Sequence, residues 1–165
     1  MRRQDLELVT TALREPMRRF VRESRVRTAI LVNRSGQVLA HHGFARSYDV
    51  GNVAALAAAA HSSAHALAEL TGAGRWMHLH HAGRAKQLFL APFGTGGEEL
   101  VLVAIFDQDS TLGLVQLFFD RLVEAAAEIP ELGSKLSSAD AESFESDLEA
   151  GLDRVLTDRP GPQEG

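Results

Sequence analysis

Residues 99–129 read ELVLVAIFDQDSTLGLVQLFFDRLVEAAAEI, and this stretch decides the fold class. From Glu99 to Phe106 the run is almost unbroken in aliphatic and β-branched residues, the pattern of a strand buried on both faces at the centre of a sheet. After a polar break from Asp107 to Ser110, Thr111 to Ile129 carries apolar residues at helical spacing and stops at Pro130. Either Asp109 or Ser110 is placed to start that helix. A central strand followed directly by a helix implies mixed α/β layers.

Upstream of that strand, Trp76–His80 and Gln87–Phe93 read as two more strands, with turns at Ala82-Gly83 and Gly94–Gly97. Thr28–Val32 and Gln37–His41 flank Asn33-Arg-Ser-Gly36, which makes a hairpin. Between the hairpins, Val50 to Thr71 is a long helix with Asp49 as its N-cap and Gly72 as its stop. Residues 4–23 place Leu6, Val9, Leu13, Met17 and Phe20 on one helical stripe, with a kink expected at Pro16. The order α-β-β-α-β-β-β-α fills one domain, residues 1–130. Residues 131–165 read as an acidic, Ser-rich linker, a short amphipathic helix at about 143–156 with Phe144, Leu148, Leu152 and Leu156 on its apolar side, and a frayed end.

The 165 residues are 45% hydrophobic and 24% charged, the balance of a folded globular domain. With no cysteine, disulfides, thiolate nucleophiles, zinc fingers and iron–sulfur clusters are excluded. No stretch approaches the roughly 20 apolar residues of a membrane span, and the N-terminus lacks a signal-peptide core, so a cytoplasmic location is expected. The net charge of −5 is uneven: +4 over residues 1–27, −2 over 28–127 and −7 over 128–165. In the basic head Arg14, Arg18, Arg22 and Arg25 interleave with Glu15 and Glu23, a solvated helix face rather than a nucleic-acid surface.

The second helix carries Leu56, Ala60, Ser63, Leu67 and Leu70 on one face, with Ala55, Ala58, His61, Ser62, His65, Ala66 and Glu69 opposite. An outer stripe of Ala and Ser permits close approach, either by another part of the same domain or by a partner; the pattern favours a partner. His61 and His65 have i, i+4 spacing, but Ser62 stands where a metalloprotease needs Glu. His78 and His80 share a strand face without an evident third ligand. Asp107-Gln-Asp-Ser-Thr111 is similar to a phosphatase Asp-x-Asp-x-Thr motif, but it lies late in the chain and after strands that read antiparallel. Gly94, Gly96 and Gly97 lack the following Lys-Ser/Thr of a phosphate loop. The expectation is therefore no active site, no metal and no cofactor.

The Val32–Leu39 hairpin, the Ala-rich helix ending Leu70-Thr-Gly72, His81-Ala-Gly83 and Val103-Ala-Ile-Phe-Asp-Gln-Asp-Ser-Thr-Leu-Gly-Leu-Val-Gln-Leu117 together resemble the Roadblock dynein-light-chain family, and within it the bacterial polarity and gliding-motility regulators of MglB type. The resemblance covers about residues 5–130. It implies a Roadblock/longin-type layered fold, a five-stranded antiparallel sheet between helices, joined with a second copy. It also implies a homodimer that binds one Ras-like small GTPase of MglA type, two chains per GTPase, and stimulates its hydrolysis; the alternative is a scaffold without activating effect. The action would lie in the cytoplasm, with a cell pole as one place for it. By resemblance Ser62 and Ala66, with Ala55, Ala58, His65 and Glu69 around them, face the GTPase. Ala58, His61, Trp76 and His78 face the second copy, and the Phe144–Leu156 helix is a further partner contact. Arg46 and Arg75 are the arginines placed to act as fingers, but the resemblance implies activation without one.

Overall fold

The computed structural model describes residues 3–43, 49–95 and 98–130. In chain order they form α1 (Arg3–Ser24), β1 (Thr28–Asn33), β2 (Val38–Gly43), α2 (Val50–Thr71), β3 (Leu79–Ala82), β4 (Gln87–Thr95), β5 (Glu98–Phe106) and α3 (Leu112–Ala127). The five strands make one sheet in the order β2-β1-β5-β4-β3, antiparallel throughout. The expected fold class holds.

β5 is central because it is apolar on both faces. Leu100, Leu102, Ala104 and Phe106 point to one side, where they join Phe89 and Phe93 of β4 beneath α1 and α3. That layer is completed by Val9, Leu13, Met17 and Phe20 from α1 and by Val115, Leu122 and Ala126 from α3. Val101 and Val103 point to the other side, where Ile30, Val32 and Leu90 meet Ala54 and Ala57 of α2. Among the described residues, two helices thus cover one face of the sheet and a single helix covers the other.

The boundaries depart from the sequence reading in places with physical causes. β3 begins at Leu79 rather than Trp76, and its turn to β4 closes at Gly83, whose N–H donates to the Lys86 carbonyl at 3.0 Å. Continuing the β3–β4 register would set residue 77 opposite Pro92, which has no N–H to give the ladder, so pairing stops at Leu79↔Leu90. α1 runs through Pro16 as one helix, held by its buried stripe. β2 extends to Gly43, and a register shift between Leu31 and Val32 sends Leu39 into the α1–α3 core.

Gly43 is required where it stands. Its φ is +101°, and a methyl group there would lie 2.3 Å from the Arg27 carbonyl oxygen. Gly43→Ala is expected to lower the unfolding free energy by about 2 kcal/mol or more, read from urea unfolding of the two proteins.

Candidate partner-binding face

α2 is capped at both ends. The Asp49 carboxylate accepts the N–H of Asn52 at 3.2 Å, and Gly72, with φ +65°, donates back to the Ala68 and Glu69 carbonyls. The inner side of the helix is small: Ala54, Ala57, Ala58 and Ala68 are buried, which lets the helix axis come close to the sheet. Gly36 of the β1–β2 turn lies beneath it, with space for a Cβ only 3.3 Å from the Ala55 Cα.

One polar contact fixes the middle of this helix. The His61 ring is 2% exposed, its Nε2 lies 3.0 Å from Glu99 Oε2, and the Trp76 ring closes over it at 5.4 Å between centroids. The same carboxylate faces Arg34 at 3.9 Å and Arg75 at 3.8 Å. Glu99 therefore ties β5 to α2, to the β1–β2 turn and to the loop that follows α2.

The outer side of α2 is apolar and open. Leu56, Leu67 and Leu70 are 70%, 62% and 86% exposed. Ala55, Ala59, Ser62, Ser63 and Ala66 are exposed between them. Glu69 is the helix's one charged side chain, and it sits 3.4 Å from His65. Beside α2 the sheet is bare, forming an open groove of about 510 Å³ lined by Val53, Leu56, Ala60, Leu79, Leu88 and Leu90. The groove ends at β3, the edge strand.

The structure distributes the residues singled out from the sequence in three ways. Ser62, Ala66, Ala55, His65 and Glu69 share the exposed side of α2. Ala58 and His61, expected at contacts with other chains, lie inside their own subunit at 7% and 2% exposure, because the helix turns its Ala and His side toward the sheet. Trp76 is half-buried over His61, while His78 is exposed with the Gln116 amide 3.2 Å from its ring. Arg75 is exposed beside Glu99. Arg46 and the expected Phe144, Leu148, Leu152 and Leu156 helix lie outside the described residues. Sequence reasoning missed that Leu56, Leu67 and Leu70, with Met77 and Leu79, are surface. The available signal was the stripe itself, wide and free of charge, on a helix whose opposite side is small enough to pack closely.

The phosphatase-like carboxylates have a structural use. Arg27 Nε donates to Asp107 at 2.7 Å, and its Nη2 donates to Asp109. Asp107 also accepts the Asp109 N–H at 3.1 Å, so the pair clasps the α1–β1 and β5–α3 loops together. Thr111, rather than Asp109 or Ser110, caps α3, accepting from Leu114 N–H at 3.2 Å.

The Roadblock/LC7 domain matches residues 14–106, more than half of the chain. This chain belongs to the Roadblock/LC7 family. Among solved structures, Myxococcus xanthus MglB is similar with a TM-score of 0.66 and 26% identity, over 73% of this chain and 96% of that one. The gliding protein MglB of Thermus thermophilus is similar at 0.62 and 30% identity, over 79% and 94%. An MglB with a tetrameric arrangement is similar at 0.63 and 31% identity, over 79% and 93%. Curated protein sequences give no match. Among the described residues of this Roadblock domain, no helix is long and apolar enough to cross a membrane.

The Arg27 guanidinium, together with the Asp109 N–H, holds the Asp107 carboxyl below the usual carboxylate range. A depressed folded-state pKa adds stability above the unfolded value of about 4 and loses it as pH falls through the folded value. Asp107→Asn should therefore lower the melting temperature near neutral pH, with the difference from the parent closing in melts run below about pH 4.

Proposed function

We propose that this chain is a regulator of MglB type: a homodimer that binds one Ras-like small GTPase, of MglA type, across the outer sides of its two α2 helices and stimulates GTP hydrolysis. The observation that carries this reading is the broad apolar surface formed by α2 and the adjoining sheet groove, at the free β3 edge. A surface so poor in charge is built for another protein rather than for water.

The surface divides naturally. The groove side, with Leu56, Leu79 and Leu88, lies next to the free edge and suits a second copy, since an edge strand can pair with itself about a two-fold axis. The Ser62, Ala66 and Glu69 side is small and open, which suits the flatter surface of a GTPase. Among the similar solved structures, one MglB has a tetrameric arrangement, which supports assembly through this fold.

Activation would come from positioning. Hydrolysis needs an oriented water and positive charge on the transition state, and a partner either inserts an arginine or rearranges groups the GTPase already owns. Arg75 stands beside Glu99 on its own subunit. We assign it no catalytic role, and the dimer acts by the second route. The acidic residues 131–165 would add a contact away from the main interface, through Phe144, Leu148, Leu152 and Leu156 and the carboxylates around them.

The test is GTP turnover by the Ras-like GTPase of the same genome, titrated with this chain. Acceleration should saturate at a two-to-one ratio of chains. Ala66→Arg or Ser62→Arg, which place a charge on the open side of α2, should weaken the half-maximal concentration by about tenfold or more. Arg75→Ala should leave the maximal rate within about twofold. Binding of the GTPase without acceleration would make the chain a scaffold.

A further inference from the structure

We propose that the groove between α1 and α3 is the docking site of this chain's own residues 144–156, which seat in it as an amphipathic helix. The inference concerns the chain with no GTPase bound and does not rest on the reading above. The groove lies on the side of the sheet away from α2 and holds about 310 Å³. Its floor is apolar: Phe20 and Leu122 are buried, and Pro16, Phe118 and Ala125 are half-buried along it. Arg19 and Glu23, 3.1 Å apart, stand on the α1 wall, and Glu124 and Glu128 stand on the α3 wall. Arg121 lies over the Phe118 ring, 5.1 Å from its centroid.

The place where the chain leaves α3 argues for this occupant. Glu128 lines the groove and Ile129 is packed in the core, so the chain continues past Pro130 from a point fixed at the groove's edge. Thirteen residues, 131–143, separate that point from Phe144. Extended, they reach about 43 Å, while α3 covers only about 15 Å from Phe118 to Glu128. Every part of the groove is within range. A tether this short gives the segment an effective concentration of about 1 mM, so a groove affinity of only about 0.1 mM keeps it seated about nine-tenths of the time.

The segment's own pattern fits the groove. By the helical period Phe144, Leu148, Leu152, Val155 and Leu156 share one side, and seating that stripe in the groove removes it from water. Glu145, Glu149 and Asp153, four residues apart, line one flank of the stripe, and Asp147 and Arg154 line the other. α1 belongs to the segment of charge +4, and the segment past residue 127 carries −7. The flank of three carboxylates therefore belongs against α1, where Arg18, Arg19 and Arg22 outnumber Glu15 and Glu23. Arg154 then lies toward the Glu124 and Glu128 wall. The GTPase contact proposed above uses the same apolar stripe, so the segment serves the groove or the GTPase, one at a time.

Hydrogen exchange of the full chain, without GTPase, tests this, because a helix this short gives its amides little protection unless it is docked. The amides of 145–156 should exchange about tenfold more slowly than in an unstructured peptide, matching an occupancy of about nine-tenths. Ala125→Lys, which fills the floor, should remove that protection while the amides of β5 stay protected. Leu148→Ser, which breaks the stripe without touching the domain, should do the same. The chain has no cysteine, so Glu124→Cys and Ala150→Cys introduced together can be joined by a short bismaleimide. The expected product is a link within one chain, and Ala150→Cys paired with Ala59→Cys on α2 should give none. Fast exchange across 145–156, slow exchange that either substitution leaves in place, or links made as readily to Ala59→Cys overturn the proposal. Links only between chains would assign the groove to a second copy's segment and overturn it as well.

Discussion

Five strands about 4.8 Å apart make a sheet roughly 20 Å wide, and one helix about 10 Å across cannot cover it. On the α1–α3 face two helices suffice, and the aromatic side chains of β4 and β5 are sealed beneath them. On the other face α2 is, among the described residues, alone. It sits over β1 and β5, closely packed through alanines, with Leu90 buried beneath it, and the strip from half-buried Leu88 to exposed Leu79 is left open. The apolar groove is therefore a consequence of the architecture. A second molecule would cover it, and the β3 edge beside it offers the backbone groups for one.

The buried His61–Glu99 contact turns this deficit into a defined surface. An alanine face alone would let the helix rotate or slide, because it offers no side chain that interlocks with the sheet. His61 Nε2 against Glu99, with Trp76 over the ring, selects one rotation of α2, and that rotation presents Leu56, Leu67 and Leu70 outward. The capping Asp49 and Gly72 fix the ends.

Much of this was legible in the sequence and some of it was not, for physical reasons. β5 and α3 were readable because burial on both faces and helical periodicity each leave a pattern within the segment. The caps of α2 were readable because they depend on residues next to the helix. β3 was placed three residues early because its limit is set by Pro92 on the neighbouring strand. Ala58 and His61 were assigned to the surface because the period of a helix tells which residues share a side and not which side meets the sheet. That choice depends on Glu99, 38 positions away, just as the use of Asp107 depends on Arg27, 80 positions away. The exposure of Ser62, His65, Ala66 and Glu69 was legible because they share one side of the helix by its 3.6-residue period.

The proposed stoichiometry follows from symmetry rather than from contact chemistry. A dimer closed about a two-fold axis through the β3 seam brings its two α2 helices to the same side of the joined sheet. A single GTPase has no two-fold axis. If it bound one α2 alone, two would bind per dimer. A GTPase that spans the axis uses both helices at once, through different residues on each, and its body then blocks the symmetry-related position. Small side chains at Ser62 and Ala66 suit that arrangement, since the same residue has to meet two different parts of the ligand. Long charged side chains would be matched to one of those parts and opposed to the other.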